Sequence, residues 1–200
     1  MRPLVIEQDV LLDRLLEAFA DLGFEGTSIR QLCRHLGVSH NLIHIRYQSK
    51  ENAWYRAVDH AFEDLGRVLT EEPAAGWPTD RLEVLRVSMA RYALATIERP
   101  ALARIIQQEA ARPGPRFDYM YQRYILGWRE VTDDVIAHLQ KDGVFRRGAI
   151  DTVYFFLTTW GIGGLASVPD ATAGVTGSDR WREDVARLAV DVVIDGLRTR

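Results

Sequence analysis

The sequence predicts an all-α protein of about nine helices, divided into an N-terminal three-helix domain, residues 1–52, and a C-terminal helical domain, residues 53–200. Three observations support this prediction. Apolar residues recur at the i, i+3, i+4, i+7 spacing of amphipathic helices along most of the chain. Glycine, proline and serine residues that commonly begin or end helices flank these segments. No segment shows the alternating pattern of a half-buried strand beside a hairpin turn.

Three short helices are predicted in the first fifty residues. The first ends at Gly23 and has an apolar stripe at Leu12, Leu15, Leu16, Phe19 and Leu22. The second begins at Ser28, where Gln31 three residues later gives the form of a capping box, and ends at Gly37. Ser39 is a good N-cap for the third, which extends to about Arg46. Two short helices joined by a tight turn that contains glycine have the form of a helix-turn-helix.

The rest of the chain predicts longer helices. Ser49 caps a fourth helix, and residues 71–80, with two prolines and a glycine, form a connection. The fourth helix can be assigned to either side, and we assign its body to the C-terminal domain. Pro100 separates the next two helices, and Gly143 ends a long amphipathic one. Helices at about 150–165 and 181–197 complete the chain, with a loop rich in Gly, Thr and Ser at 169–179 between them.

The segment from Gly26 to Lys50 differs from the rest of the chain in charge. It has four basic side chains and three histidines but no Asp or Glu, whereas the whole chain has a net charge of −3. A local basic surface in an acidic protein indicates an anionic partner at one place. Phosphates repel carboxylates, and the exposed N–H groups of a helix start donate hydrogen bonds to a phosphate oxygen. This helix-turn-helix is therefore expected to lay its second helix in the major groove of DNA.

The segment from Leu11 to about Val58 resembles the N-terminal region of the TetR family of transcriptional repressors. The resemblance depends on AlaPheAlaAspLeuGlyPhe at 18–24, ThrSerIleArgGlnLeu at 27–32, GlyValSer at 37–39 and SerLysGlu at 49–51. It implies a helix-turn-helix DNA-binding domain followed by a helical ligand-binding and dimerisation domain. It also implies DNA contacts from Thr27, Ser28, Ser39, His40, Asn41, Leu42, His44 and Lys50.

The third helix departs from the usual family pattern. His40-Asn41-Leu42 and His44 stand where the family often has Lys-Gly-Thr and tyrosine, and Gln48 replaces a frequent proline. Asn41 can bond an adenine edge, and the apolar side chains of Leu42 and Ile45 can pack on thymine methyl groups. The sequence thus predicts a half-site that contains A·T pairs.

Other chemistries have weaker support. Cys33 lies among apolar residues and is expected to be a small buried side chain rather than a redox sensor. His40 and His44 are four residues apart, but no third ligand is close in sequence, so DNA contact or solvation is favoured over zinc. No catalytic triad, nucleophile elbow or phosphate loop is present in the sequence. We expect neither an enzyme nor a cofactor.

The C-terminal domain is unusually rich in aromatic residues. A site for a small apolar ligand between helices is lined by rings and a few polar groups, although core packing is the ordinary role of any one ring. The resemblance implies such a site. The predicted lining is Met89, Tyr92, Ile106, Tyr121, Tyr124, Trp128, Phe155 and Thr159, with Gln107, Gln108 and His138 as polar contributors.

The last two helices are expected to form a homodimer, since a helix-turn-helix reads two half-sites. Residues 150–165 are nearly free of charge, and the last helix has an apolar stripe at Val185, Leu188, Ala189, Val192 and Leu197. The 152–169 segment is marginal in length for a membrane span, so a buried or interface helix is favoured and no membrane partner is expected. One cysteine and the lack of a secretory pattern favour the cytoplasm.

The resulting hypothesis is a homodimeric repressor that binds a palindromic double-stranded DNA operator and is released by a small, largely apolar or aromatic effector. Three alternatives stay open. One is an activator or a ligand-independent DNA-binding regulator. A second is a small-molecule carrier or an enzyme on the same helical scaffold without specific DNA binding. The third is an interaction module whose N-terminal helices bind an acidic protein, which differs from DNA binding in its weaker dependence on salt.

Overall fold

A computed structural model describes residues 7–167 and 181–199 of the chain. Six helices occupy its first part: α1 (Gln8–Leu22), α2 (Ile29–Leu36), α3 (His40–Tyr47), α4 (Lys50–Thr70), α5 (Arg81–Glu98) and α6 (Pro100–Ala110). Helix α7 begins at Pro115–Met120 and continues through a π-helical turn, Tyr121–Ile125, into Leu126–Lys141. Helix α8 consists of Ile150–Phe156, a π-helical turn at Leu157–Ile162, and Gly163–Ser167. Helix α9 is Trp181–Leu197.

The all-α fold class predicted from the sequence is confirmed. Nine continuous helices and no strand are present in the described parts of the chain, where Phe145 and Arg198 form one isolated antiparallel bridge. Within the same residues, no helix combines the length and apolarity that crossing a bilayer requires. The predicted loop at 169–179 lies outside the described residues.

The helix ends lie where the capping residues predict them. The backbone N–H of Gln31 donates to Ser28 Oγ at 3.2 Å, and the N–H of Ser28 donates to Gln31 Oε1 at 2.8 Å, which completes the capping box. The Ser49 hydroxyl accepts from the N–H of Asn52 at 3.0 Å and begins α4. Gly37 ends α2 with a φ of 66°, a conformation that glycine adopts without a Cβ clash. Local chemistry therefore sets the limits of the helix-turn-helix.

Two hydrophobic cores are present. The first joins α1–α4 and also contains Leu102 and Ile105 of α6 and Met120 of α7. Phe19 and Trp54, which are about 1% exposed, are its largest members. The second core lies between α5, α7, α8 and α9 and includes Met89. Helix α4 lies along both halves of the molecule, because it packs against α1 and α3 at one end and α5 at the other.

Polar contacts fix the helices around these cores. Gln108 of α6 donates to the Ala20 carbonyl of α1 at 2.7 Å. Arg86 of α5 forms ion pairs with Asp191 and Asp195 of α9. Helix α1 is therefore held by the C-terminal half of the chain as well as by α4, and the final helix is held against α5.

Candidate nucleic-acid interface

The third helix separates a buried face from an exposed one. Ile43 is 0% exposed and Tyr47 is 4% exposed, and both pack in the first core. Asn41 and His44 are exposed, and Ile45 is 77% exposed, which is unusual for a large apolar side chain. Asn41, His44 and Ile45 therefore share a solvent-facing surface, to which a base edge could bind.

Leu42 and His40 differ from the fully exposed residues of α3. Leu42 is half-buried and packs partly against the first core, so only part of its side chain is available to a partner. His40 begins α3, but its side chain lies outside the described part of the structure.

The residues at the helix starts differ in how far their polar groups are already engaged. Thr27 is only 3% exposed, and its hydroxyl donates to the Gly23 carbonyl. Ser28 is exposed, although its hydroxyl takes part in the capping box. Ser39 is the exposed N-cap residue of α3, and its side chain forms no capping hydrogen bond. Ser39 therefore has the hydroxyl most accessible to a phosphate.

Lys50 lies at the first position of α4 and holds the turn between α1 and α2. Its ammonium donates to the Phe24 carbonyl at 2.9 Å and lies 4.0 Å from the centroid of the Phe24 ring. The guanidinium of Arg116 lies 4.0 Å from the centroid of the same ring. An ammonium has three donors, so this contact leaves N–H groups for a phosphate oxygen.

The turn before α4 has an unusual backbone. Gln48 has a φ of 66° and a ψ of −39°, and it is the only residue other than glycine with a positive φ among the described residues. Side chains with a Cβ rarely adopt this conformation. The sequence showed that a frequent proline was replaced here, but it did not show the strained φ.

Basic residues outside the predicted set are exposed on the neighbouring helix α2. Arg30 and Arg34 are exposed on α2, within the segment that has no carboxylate. The prediction of individual contacts omitted them, although the charge pattern of the segment contained the signal. They lie on the helix that precedes the recognition helix, where phosphate contacts are common.

Comparison with known proteins agrees with this geometry. Residues 11–52 match the family model described as bacterial regulatory proteins, tetR family. Residues 11–52 therefore form a domain of the tetR regulatory-protein type. The match confirms the resemblance stated from the sequence, over the region that contains α1, α2 and α3.

Solved structures show the same fold over nearly the whole chain. The ketosteroid transcriptional regulator KstR2 of Mycobacterium tuberculosis is 19% identical, with a TM-score of 0.74, and the match covers 98% of this chain and 97% of that one. The TetR family regulator PfmR of Thermus thermophilus is 20% identical, with a TM-score of 0.70, covering 98% of this chain and 100% of that one. At these identities, the likeness concerns the fold. No curated protein sequence gives a significant match.

The predicted ligand residues are not all in one place. A cleft of about 630 Å³ lies between α1, α4, α5 and α6, and Tyr92 and Ile106 are on its wall. Met89 is 1% exposed in the second core. The other predicted residues do not line this cleft: Tyr121, Tyr124, Trp128, Phe155 and Thr159.

Those other residues have identifiable contacts. The Tyr124 ring stacks on Phe62 with centroids 4.4 Å apart, and Trp128 packs close to Gly66 of α4. Tyr121 accepts a hydrogen bond from Arg129 at 3.3 Å, and the guanidinium of Arg129 lies over the Phe155 ring. Thr159 is half-buried in the π-helical turn of α8. These contacts describe packing, which sequence periodicity could not distinguish from a ligand wall.

The three residues predicted as polar contributors to the ligand site also lie in different places. Gln107 Nε2 and Tyr92 Oη both lie beside Gly163, within 4 Å of the position that a Cβ would take there. Burial raises the pKa of Tyr92 to about 12, so this hydroxyl keeps its proton and can donate to a ligand. Gln108 is engaged with Ala20, and His138 lies on α7, where its Nδ1 is 2.8 Å from the Asp134 carbonyl oxygen.

A carboxylate that the sequence did not predict connects α4 to α7. Asp59 accepts hydrogen bonds from the hydroxyls of Tyr119 at 2.6 Å and Tyr124 at 2.7 Å, and its side chain is 15% exposed. Burial, and then the bond to Asp59, raises the pKa of Tyr124 to about 12. A single Asp on an otherwise ordinary helix gave no sequence signal, because its partners lie sixty or more residues away.

Proposed function

We propose that this chain is a homodimeric transcriptional repressor that binds a palindromic DNA operator and is released by a small, largely apolar or aromatic ligand. The observation that supports it most strongly is the exposed face of α3, with Asn41, His44 and Ile45, in a segment with no carboxylate. The domain division at residues 1–52 and 53–200 belongs to the same proposal, and a chromosomal operator implies a cytoplasmic protein.

The direct contacts with DNA bases are assigned to the recognition helix α3. Asn41 bonds the edge of an adenine, and Ile45 and the accessible part of Leu42 pack on thymine methyl groups. His40 and His44 contact base edges or phosphates beside them. This assignment keeps the expected A·T pairs in each half-site.

The phosphate contacts are assigned to residues around the two helix starts. Ser39 and Ser28 offer exposed hydroxyls, and the first N–H groups of α3 point toward the same oxygen. Lys50 binds a phosphate with the donors that Phe24 does not use. Thr27 takes part only after its hydroxyl exchanges the Gly23 carbonyl for a phosphate oxygen.

A second copy of the chain is proposed to cover the exposed apolar residues of α8 and α9. On α8, these residues recur at one helical face: Val153, Phe156, Leu157 and Trp160, which are 37–54% exposed. On α9, Leu188 and Val192 are each 64% exposed. A two-fold axis through these surfaces would give a four-helix interface.

The dimer is tested by one charge on α9. Leu188→Glu is expected to convert the protein from dimer to monomer in sedimentation velocity, because a buried carboxylate without a partner is costly. Val131→Glu on α7 is the control, since Val131 is 68% exposed and is not among the residues of the proposed interface. Dimers that persist in Leu188→Glu contradict the proposed interface.

Release by a ligand requires that the ligand favour the form that does not bind DNA. Tyr92 and Ile106 lie in the cleft next to α1 and α4, so an occupant there would contact helices that hold the DNA-binding domain. Further occupants between α5, α7 and α8 are proposed to contact Met89, Tyr121, Tyr124, Trp128, Phe155 and Thr159.

Selection of bound sequences from a random DNA pool, at about physiological salt, tests the proposal as a whole. One palindromic motif with A·T pairs in each half is expected. Binding that falls steeply with added salt would identify phosphate contacts rather than an acidic protein surface. Recovery of no motif by folded protein would favour the carrier or enzyme alternative, and a motif of G·C pairs alone would overturn the assignment of Asn41.

A further inference from the structure

Three side chains that can bind a metal converge between α1 and α4. His60 Nε2 lies 3.4 Å from Asp13 Oδ1 and 3.9 Å from Asp64 Oδ2, and all three potential ligand atoms lie within 4.8 Å of one another. His60 and Asp64 are one helical turn apart on α4, whereas Asp13 comes from α1. His60 and Asp64 are largely buried, at 17% and 16% exposure.

The spacing of these atoms fits a tetrahedral metal ion better than a direct hydrogen bond. Zinc bonds to histidine nitrogen and carboxylate oxygen are about 2.0–2.2 Å long, which places neighbouring ligand atoms about 3.4 Å apart. The 3.4 Å between His60 Nε2 and Asp13 Oδ1 agrees with that spacing, and the 3.9 Å between His60 Nε2 and Asp64 Oδ2 would have to shorten slightly when an ion binds. A charge-assisted hydrogen bond between imidazole and carboxylate is shorter, at about 2.7–2.9 Å.

A further carboxylate and an open cleft lie beside the cluster. Glu17 lies one turn after Asp13 on α1, and Asp13, Glu17 and Asp64 all line the cleft of about 630 Å³. A carboxylate at this position can complete the tetrahedron directly or through a water molecule. The open cleft lets an ion reach the cluster.

The surroundings orient Asp64 and leave a negative charge to be balanced. Arg99 Nη1 lies 2.6 Å from Asp64 Oδ2, and Arg67 pairs with Oδ1. A carboxylate has about four lone-pair positions, so these contacts do not exhaust it, and hydrogen-bonded carboxylates are usual around bound metals. The cleft as a whole has one more carboxylate than guanidinium, which favours a cation: Asp13, Glu17, Asp21, Asp64 and Glu98 against Arg67, Arg91, Arg99 and Arg104.

We propose that Asp13, His60 and Asp64 bind a divalent transition metal ion, with Zn²⁺ the best match to one imidazole and two carboxylates. The ion would cross-link α1, the first helix of the DNA-binding domain, to α4. Because the ion binds the folded chain, it raises the midpoint of thermal unfolding. This inference concerns metal binding and does not depend on the proposed operator.

The experiment uses the full chain, freed of metal with a chelator and then titrated with Co²⁺. One equivalent is expected to give the visible absorption of tetrahedral Co²⁺ with nitrogen and oxygen ligands, and Zn²⁺ is expected to displace it. His60→Gln and Asp13→Asn should each weaken Co²⁺ binding at least about 100-fold, which exceeds the usual effect of residues behind the ligands.

The chain offers a matched control on α7. His138 Nδ1 lies 3.5 Å from Asp134 Oδ2, a histidine–aspartate pair one turn apart, but none of the described residues adds a third ligand there. His138→Gln should therefore bind Co²⁺ like the unmodified chain. Helical circular dichroism establishes that each variant is folded. Folded wild-type protein that binds no Co²⁺, or binding unaffected by His60→Gln and Asp13→Asn, would overturn the site.

Discussion

Ile43 and Ile45 lie two residues apart on α3, and replacing each with alanine is expected to affect different properties: stability at Ile43 and DNA binding at Ile45. Ile43 is 0% exposed in the first core, whereas Ile45 is 77% exposed. The chemical change is the same at both positions. The difference between the two variants therefore reports which face of α3 packs on the protein and which meets a partner.

The magnitudes follow from burial. Truncating a buried isoleucine to alanine costs about 2–5 kcal/mol of unfolding free energy. We expect Ile43→Ala to lose about 3 kcal/mol, because α3 has only eight residues and few other side chains to hold it against the core. Ile45→Ala should change stability by less than about 0.5 kcal/mol. If Ile45 packs on a thymine methyl group, its loss costs about 1 kcal/mol per half-site. Two half-sites then give about 30-fold weaker operator binding.

Two measurements distinguish these effects. Urea unfolding followed by circular dichroism gives the free energy of unfolding for each variant, and fluorescence anisotropy with the selected operator gives the dissociation constant. Equal destabilisation by both variants would show that the faces of α3 are wrongly assigned. A stable Ile45→Ala variant with full operator affinity would refute the apolar contact but leave the fold assignment intact.

The remaining predictions concern strain, a buried polar network and a thiol. Gln48→Gly is expected to raise the free energy of unfolding by about 1 kcal/mol, because glycine tolerates a positive φ. Urea unfolding measures this change, and a less stable variant would contradict the strained turn. In a double-mutant cycle, the unfolding free energies of Tyr119→Phe and Asp59→Ala should show a coupling of about 1 kcal/mol. Strictly additive free energies would mean that the hydrogen bond between these residues contributes nothing to stability. Cys33 is buried, and burial raises the pKa of its thiol. Iodoacetamide should therefore modify the native chain near pH 8 far more slowly than the urea-unfolded chain. Equal rates would show that the thiol is accessible in the folded protein.

Short-range chemistry made the helix-turn-helix predictable. The capping box at Ser28, the stop at Gly37 and the cap at Ser49 each act within four residues, so their effect is visible in the sequence. Helical spacing also indicated that Ile43 and Tyr47 face the core.

Long-range contacts were not predictable in this way. The bond from Lys50 to Phe24 joins residues twenty-six positions apart, and Asp59 meets its tyrosine partners from α7 only after the helices pack. An aromatic residue at a helical spacing has the same pattern whether it fills a core or lines a ligand site. Tyr92 and Tyr124 therefore resembled each other in sequence, although one borders the cleft and the other stacks on Phe62.

The first hydrophobic core has a consequence for how such proteins can be recombined. Leu102 and Ile105 of α6 pack in the same core as Phe19 of α1, about eighty residues earlier. A chimera that joined residues 1–52 to an unrelated C-terminal half would replace the side chains against which α1 packs. A transplanted DNA-binding domain should therefore fold stably only when the α6 side chains that pack against α1 are transplanted with it.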